Sequence, residues 1–404
     1  MESCTYDDRS LIESGKKSWQ WAYSNMKLVK KIIDEFGNTK PLNGNRLGLC
    51  LHITKETSVL ALAIQKLGGK IAICSANPLS VQNDVAAFLT SKGIRVYAWR
   101  GESIKMYYDS IRQVLETDPD LIVDDGSEMH IAAHSRKIES IIGGTEETTS
   151  GINRLKSLEM QGKLKYPVIG VNDANSKRLF DNRYGTGQST IDSIIRITGL
   201  LLAGKTIVVC GYGPVGKGVA ERARGFGGIV TVTEINPIRA LEAHMDGFSV
   251  KRLLDVASEG HIFITCTGQN SIIRKEHIKK MKSGSLLANA GHFDAEIEIK
   301  YLKSNSRTRE NVRPFLDCFS VGGKKIYLLC SGRVVNLVGS EGNAPEVMSM
   351  SFANQILSIL FVQRNYMKLN RGLHAVPIDI DEHVSKSALD CLNVKLDNFK
   401  TITY

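Results

Sequence analysis

Residues 205–236 read KTIVVCGYGPVGKGVAERARGFGGIVTVTEIN. The β-branched run at 206–210 predicts a buried strand, and it ends in Gly211-Tyr212-Gly213-Pro214-Val215-Gly216. A helical pattern follows, then a second strand-like run at 229–233 that ends in Glu234. The first glycine permits a tight strand-to-helix turn, the second lets the backbone approach a pyrophosphate, and the third lets the helix pack close to the strand. The helix N-terminus presents free N–H groups and a partial positive charge to phosphates. Glu234 stands where a carboxylate accepts hydrogen bonds from an adenosine ribose. A structural glycine turn is the alternative. The strand before the motif, the helix after it and the acid at the next strand's end favour dinucleotide binding. Glu234 would repel a 2′-phosphate, so NAD is expected over NADP. Pro214 is tolerated because a first-turn N–H is unpaired anyway.

The 404 residues exceed the usual span of one core, so two domains are expected. Composition is that of a globular protein, 42% hydrophobic and 23% charged. The net charge of +10 admits anionic partners. Lysines and arginines are spread without blocks, however, so a basic surface with acidic small ligands is expected and nucleic acid is not. The eight cysteines form no CxxC pair, and several lie inside apolar runs. They read as reduced thiols of a cytoplasmic protein. The N-terminus lacks a signal-peptide apolar segment, and no run approaches the ~18 apolar residues of a membrane span, so no membrane association is expected.

Residues 10–36 read as helical, and 37–45 as a polar turn. Strand-like runs at 46–53, 70–75, 94–99 and 121–123 then alternate with helical patterns at 56–67, 81–92 and 102–116. Such alternation predicts a parallel sheet covered by helices on both faces. Ligands bind at the carboxyl ends of such strands, where His52, Asn77 and Asp125 fall. Residues 143–151, GGTEETTSG, read as a loop that breaks the alternation. A short strand at 166–171 and a helical stretch at 190–202 follow. Later strand candidates are 261–265, 285–288 and 326–329. A helix beginning at Pro345 should pack back on the first domain. There is no internal repeat or low-complexity segment.

Lys177 and Asp181 are four apart and share a face if helical. Near a nicotinamide, such a pair can orient a hydroxyl and assist its proton loss. Spacing alone reads them as a surface ion pair worth under ~1 kcal/mol. His52 alone reads as a structural histidine. Asp125 reads equally as a general base or a helix cap. His292, in Gly291-His292-Phe293-Asp294, could face the cofactor or simply occupy a turn.

The motifs taken together resemble the S-adenosylhomocysteine hydrolase family. They are the opening stretch extended to Phe248, VNDANSKRLFDNRYG, TEETTSG, NAGHFDAEIE, VVNL, LCLHITKET and YAWRGES. The likeness runs from about residue 10 to 395, and it reverses the structural readings of Lys177, Asp181, His52 and His292. It implies an α/β protein with two doubly wound parallel-sheet domains. Residues 1–183, completed by 346–384, would form the substrate domain. Residues 184–345 would form the Rossmann NAD domain, and 385–404 a short tail. The implied reaction oxidises the nucleoside 3′-hydroxyl on tightly held NAD, which acidifies C4′–H. Homocysteine leaves from C5′ by elimination, water adds, and the ketone is reduced again. Lys177 and Asp181 then resemble the pair at the 3′-hydroxyl. His52 and Asp125 resemble the acid/base residues, and His292 and Asn182 bridge substrate and nicotinamide. Glu147 matches a ribose-binding carboxylate, Thr54 and Glu56 match purine contacts, and Asn77 and Met348 are expected in the substrate pocket. Thr148, Thr149, Gly211, Gly213, Val215, Gly216, Glu234, Asn289 and Asn336 match cofactor contacts. No metal is expected. The resemblance also implies a homo-oligomer, tetramer or dimer.

Three positions depart from the family pattern. Asn343 stands where a histidine is expected beside the base, so a histidine placed there should change which base is accepted. Asn83 replaces an acid near the expected homocysteine end. Ser150 is the third member of a threonine run. The expected activity is adenosylhomocysteinase. The alternatives are the same 3′-oxidation on another nucleoside, and a non-catalytic NAD-binding regulator. Retention of the five catalytic candidates argues against the last.

Overall fold

The computed structural model describes residues 8–397. Cys4 and the end of the tail, 398–404, lie outside the described residues. Strands β1 (Arg46–Cys50), β2 (Lys70–Cys74), β3 (Arg95–Tyr97), β4 (Leu121–Asp124), β5 (Gly143–Glu146) and β6 (Pro167–Gly170) lie in one sheet. Strands β7 (Thr206–Cys210), β8 (Ile229–Thr233), β9 (Ser249–Val250), β10 (Ile262–Thr265), β11 (Ser285–Asn289), β12 (Ser306–Arg313), β13 (Leu316–Val321) and β14 (Lys324–Leu329) form a second. A last strand, β15 (Gly372–Ala375), returns to the first sheet beside β6.

The first sheet runs β15-β6-β5-β4-β1-β2-β3 and every pair is parallel. Its strands are apolar almost throughout because helices cover both faces; β4 and β6 are buried along their whole length. The second sheet runs β12-β13-β14-β11-β10-β7-β8-β9. It is parallel from β14 to β9, but β12 and β13 are antiparallel additions. The sheet is therefore parallel-rich, a doubly wound core as expected, extended at one edge by an antiparallel hairpin. The sequence hides this hairpin because β12, SRTRENVR, is an exposed edge strand. Its charges protect an unpaired edge and erase the apolar signature of a strand.

Residues 143–146, read as loop, are instead the buried strand β5, a correction. Glycine propensity argues against a strand, but packing requires it. A Cβ on Gly144 would sit 2.5 Å from Ile122 O and 2.6 Å from the His130 ring, and one on Gly143 would sit 2.5 Å from Val362 Cγ1. Helices press on both faces of this strand, and only glycine admits them.

The 10–36 helix is two helices, Arg9–Asn25 and Lys27–Phe36, broken at Met26. The second buries Leu28, Val29, Ile32 and Ile33 in the first core. Residues 385–391, expected in the tail, complete the Ile378–Cys391 helix instead. The Pro345–Asn365 helix packs on β5 and on helices of the first sheet, as expected. Among the described residues it is the one helix long and apolar enough to cross a membrane, but 67% of that apolar stretch is buried inside the protein, which makes it a core helix.

Candidate active site

Each sheet reverses its winding once, between β1 and β4 in the first and between β7 and β10 in the second. Ligands bind where neighbouring crossovers diverge at such points. Here the loops after both switch points line one cavity of about 890 Å³, at the upper end of the usual ~300–1,000 Å³ for ligand pockets.

The second-sheet wall is a dinucleotide cradle. A Cβ on Gly213 would enter open space, its nearest neighbour the Arg239 Nη1 at 3.8 Å, so the backbone there is bare toward the cavity. A Cβ on Gly216 would lie 2.0 Å from Gly211 O. Gly213 therefore leaves room for a pyrophosphate, while Gly216 faces the strand and lies off the cavity wall. Pro214 opens the Pro214–Gly225 helix, whose N-terminus points its free N–H groups at this space. The Glu234 carboxylate is held at the end of β8, accepting from Tyr212 N–H at 2.7 Å and from Ile235 and Asn236 N–H at 2.7 and 2.9 Å. Gly211, Val215, Asn336, Thr148 and Thr149 also reach the wall. Asn289 does not. Its amide donates to the carbonyls of Gly291, Phe293 and Gly332, and so shapes the loop that carries His292. The bare glycine floor, helix N-terminus and acidic strand end fit NAD.

Lys177 and Asp181 are no surface pair. Both are about 4% exposed, and their charged atoms are 3.3 Å apart. They lie in a short helical turn, Asn175–Arg178, and the π-helical turn that follows it. Lys177 Nζ also donates to Asn182 Oδ1 at 2.8 Å and stands 3.7 Å from Glu147 Oε1. Burial opposes the Lys177 charge, but Asp181, Glu147 and Asp125 outweigh it and raise its pKa above the ordinary lysine value. Burial pushes Glu147 up to about 8, against the pull of Lys177. The cluster thus holds one firm ammonium, with Glu147 as the carboxyl group that keeps a proton. Asn172 joins Asn182 to the cofactor wall, accepting from the Asn182 amide and donating to Thr149 Oγ1 at 2.9 Å.

Asp125 lies between two imidazoles, with His52 Nε2 at 3.5 Å and His292 Nδ1 at 3.4 Å. Burial lowers the His52 pKa to about 4 and lowers that of His292, so both rings are neutral at neutral pH. The Ser80 hydroxyl donates to Asn77 O at 2.9 Å and therefore accepts from His52 Nδ1–H at 2.6 Å. That tautomer leaves His52 Nε2 a free lone pair facing Asp125. The ligand atoms of these three residues lie within 4.8 Å of one another, a set that could also hold a divalent cation.

Thr54, Glu56 and Met348 also line the cavity. Thr54 caps the Lys55–Lys66 helix. Burial raises the Glu56 carboxyl against the pull of Lys55, whose ammonium lies 3.2 Å from Glu56 and 2.8 Å from Glu341. Asn343 lines the cavity but does not face this group. Its amide donates to Asp181 Oδ1 and to Thr186 Oγ1, and its oxygen accepts from Ser189 Oγ at 2.7 Å and Asn336 Nδ2 at 3.1 Å. Both donors and both acceptor positions of the Asn343 amide are thereby engaged within the protein. Asn77 and Asn83 lie off the cavity wall. Asn77 accepts from Leu79 N–H behind His52, and Asn83 caps Arg100 N–H at 3.1 Å.

Sequence reading missed Ser80, Asn172, Ser189, Ser351 and Gln355. Ser351 donates to Asp181 Oδ2 at 2.7 Å and Gln355 to Glu147 Oε2. It also missed Glu146. That fully buried carboxylate accepts from Gly126 N–H, Ser127 Oγ, and the N–H and Oγ1 of Thr148, tying the loop of Asp125 to that of Glu147. A signal existed: Ser351, Asn354 and Gln355 interrupt an otherwise apolar core helix, where an unpartnered polar group would be costly.

The family model for the NAD-binding domain of S-adenosyl-L-homocysteine hydrolase matches residues 182–342, and a second model of S-adenosyl-L-homocysteine hydrolase matches 4–138. An adenosylhomocysteinase of Sulfurisphaera tokodaii is 50% identical over 96% of this chain and 94% of its own length. An S-inosyl-L-homocysteine hydrolase of Methanocaldococcus jannaschii is 48% identical over 96% and 95%. An adenosylhomocysteinase of Sulfolobus acidocaldarius is 49% identical over 96% and 94%.

Proposed function

The chain belongs to the S-adenosyl-L-homocysteine hydrolase family as an NAD-binding hydrolase, and on that premise we propose that it hydrolyses S-adenosylhomocysteine to adenosine and homocysteine. The observation that carries this reading is the buried Lys177–Asp181–Glu147 cluster, which opens on the same cavity as the dinucleotide cradle and the His52–Asp125–His292 group.

When bound, NAD supplies the hydride acceptor for C3′ and returns the hydride at the end of the turnover. The Lys177 ammonium orients the 3′-hydroxyl by donating to its oxygen, the Asp181 carboxylate takes up its proton, and protonated Glu147 donates to the neighbouring ribose hydroxyl. Once C3′ is a ketone, the C4′–H is acidic enough for a neutral imidazole. His52 Nε2 takes that proton, and Asp125 stabilises the resulting imidazolium. The same proton then passes to the departing sulfur, and the relay runs in reverse as water adds at C5′. His292 flanks the other oxygen of the Asp125 carboxylate. The strands of the first sheet and the Pro345–Asn365 helix form the substrate half, and residues 184–345 the cofactor half.

S-inosylhomocysteine is the second reading, because a relative of that name is almost as similar as the adenosylhomocysteinases. Glu56, the acidic group at the purine end, can accept from an adenine amino group or from the N1–H of hypoxanthine. The test offers both thioethers to the NAD-loaded protein and quantifies free thiol and nucleoside. Faster thiol release from the adenosyl compound supports the first reading. Faster release from the inosyl compound replaces it with the second, and release from neither rejects both.

A further inference from the structure

A second cavity, of about 490 Å³, adjoins the first through Ser150, Gly268 and Gln269. Its wall carries one acid and one base, Glu128 and Arg154, joined at 2.8 Å, together with the neutral amides Asn153, Gln269 and Asn270. The site described above does not use it.

This cavity begins where the acid/base group ends. Arg154 Nη1 donates to the carbonyl of Gly126, the residue after Asp125, at 2.7 Å. Gly126 lies against the His292 ring; a Cβ there would be 2.5 Å from Nε2. The Phe293 ring stands edge-on to His292, with centroids 4.6 Å apart, and lies beneath the Arg154 guanidinium at 5.4 Å. From Glu56 at the purine end, the order along the walls is therefore Lys177 and Asp181, then His52, Asp125 and His292, then Arg154 and Glu128. Phe293, next to His292, lines the second cavity with Arg154 and Glu128, and the two cavities share the wall at Ser150, Gly268 and Gln269.

We propose that this side cavity receives the α-amino acid end of the departing thiol, with Arg154 binding its carboxylate and Glu128 its ammonium. The inference rests on the proposed hydrolysis of a homocysteine thioether. A zwitterion has no net charge, and a wall of one cation and one anion matches it. Entry exchanges the Glu128–Arg154 contact for two charge-assisted contacts of the same kind. The structure thus locates the amino acid end here and not near Asn83.

The test runs the reaction in the synthetic direction. A thiol S–H adds across the C4′–C5′ double bond, so that nucleoside plus thiol gives thioether plus water. Homocysteine is compared with 3-aminopropanethiol, which lacks the carboxylate, and with 4-mercaptobutanoate, which lacks the ammonium. In the wild-type protein, homocysteine is preferred in kcat/KM by about ten- to a hundredfold over each, the range for loss of one charge-assisted contact. In Arg154→Gln the preference over the amine collapses to within about threefold. In Glu128→Gln the preference over the acid collapses likewise. A merely structural role would slow all three thiols alike and leave both ratios intact. Intact ratios in the variants, or no wild-type preference, overturn the proposal while the hydrolase reading stands. Failure of the wild-type protein to join any of the three thiols to adenosine or inosine overturns that reading, and the proposal with it.

Discussion

Replacing Asn343 with alanine removes four hydrogen bonds at once. Two are donated, to the Asp181 carboxylate and Thr186 Oγ1, and two are accepted, from Ser189 and Asn336. The bond to the carboxylate is charge-assisted, for which about 1.5–3 kcal/mol is typical, and the neutral ones contribute about 0.5–1.5 kcal/mol each. Asn343 is only half-buried, so water replaces part of this, and a net destabilisation of about 2–3 kcal/mol is expected. The larger consequence is for Asp181. It keeps Ser351 and Lys177 but loses the contact that fixes Oδ1. If that contact orients the carboxylate toward the 3′-hydroxyl, its loss slows hydride transfer by about 10- to 150-fold, the rate equivalent of one charge-assisted bond. The assay is rapid mixing of NAD-loaded protein with substrate, following NADH absorbance, with bound NAD measured separately. Asn343→His retains one donor for Asp181 but cannot also accept from both Ser189 and Asn336, so an intermediate rate is expected. An unchanged rate of NADH formation in Asn343→Ala, combined with an altered preference between adenosyl and inosyl substrates, would refute this and return Asn343 to the base.

Gly213→Ala should abolish NAD binding, measured by calorimetry, without lowering the melting temperature of the cofactor-free protein, since its Cβ meets only space that a pyrophosphate would fill. Gly216→Ala should do the reverse and destabilise the fold, because its Cβ would meet Gly211 O at 2.0 Å. Glu234→Ala should weaken NAD binding and narrow its margin over NADP by about tenfold, on removal of the charge that repels a 2′-phosphate; an unchanged NAD:NADP affinity ratio would contradict that role. Glu147 has a folded pKa of about 8, above the ordinary 4.5, so the folded protein binds this proton more tightly. Its contribution to stability is complete below about pH 4.5 and is lost as pH rises through about 8. Thermal unfolding of cofactor-free protein should show this decline between pH 5 and 8, flattened in Glu147→Gln; an equal decline in the variant would place the proton elsewhere.

The cofactor half was legible because each of its constraints is local. A glycine turn, a strand on either side and an acid at the next strand's end are all visible within 205–236. The catalytic residues were legible only in part. Spacing placed Lys177 and Asp181 on one face, but their burial comes from the Pro345–Asn365 helix, which reaches them from the far side of the chain. Strand β5 was hidden because its glycines answer to neighbours on both faces rather than to strand propensity. Asn77 sits at a strand end, where a ligand contact is expected, yet its carbonyl instead anchors Ser80 and so fixes the His52 tautomer. Position along the strand was readable from sequence, and side-chain direction was not. Asn343 is the sharpest case. Its substitution for histidine pointed to the pocket, but only the fold shows that the amide turns to Asp181.

The central claim is an oxidation and re-reduction completed within each turnover. Its most direct test is a single-turnover experiment in which NAD-loaded protein, in excess, is mixed with S-adenosylhomocysteine while NADH absorbance and free thiol are followed together. The account predicts that NADH absorbance rises before thiol appears and then decays, with no net NADH and one nucleoside released per thiol, and that Lys177→Ala retains NAD but shows neither signal. Thiol release without transient NADH, or normal NADH formation in Lys177→Ala, would contradict it.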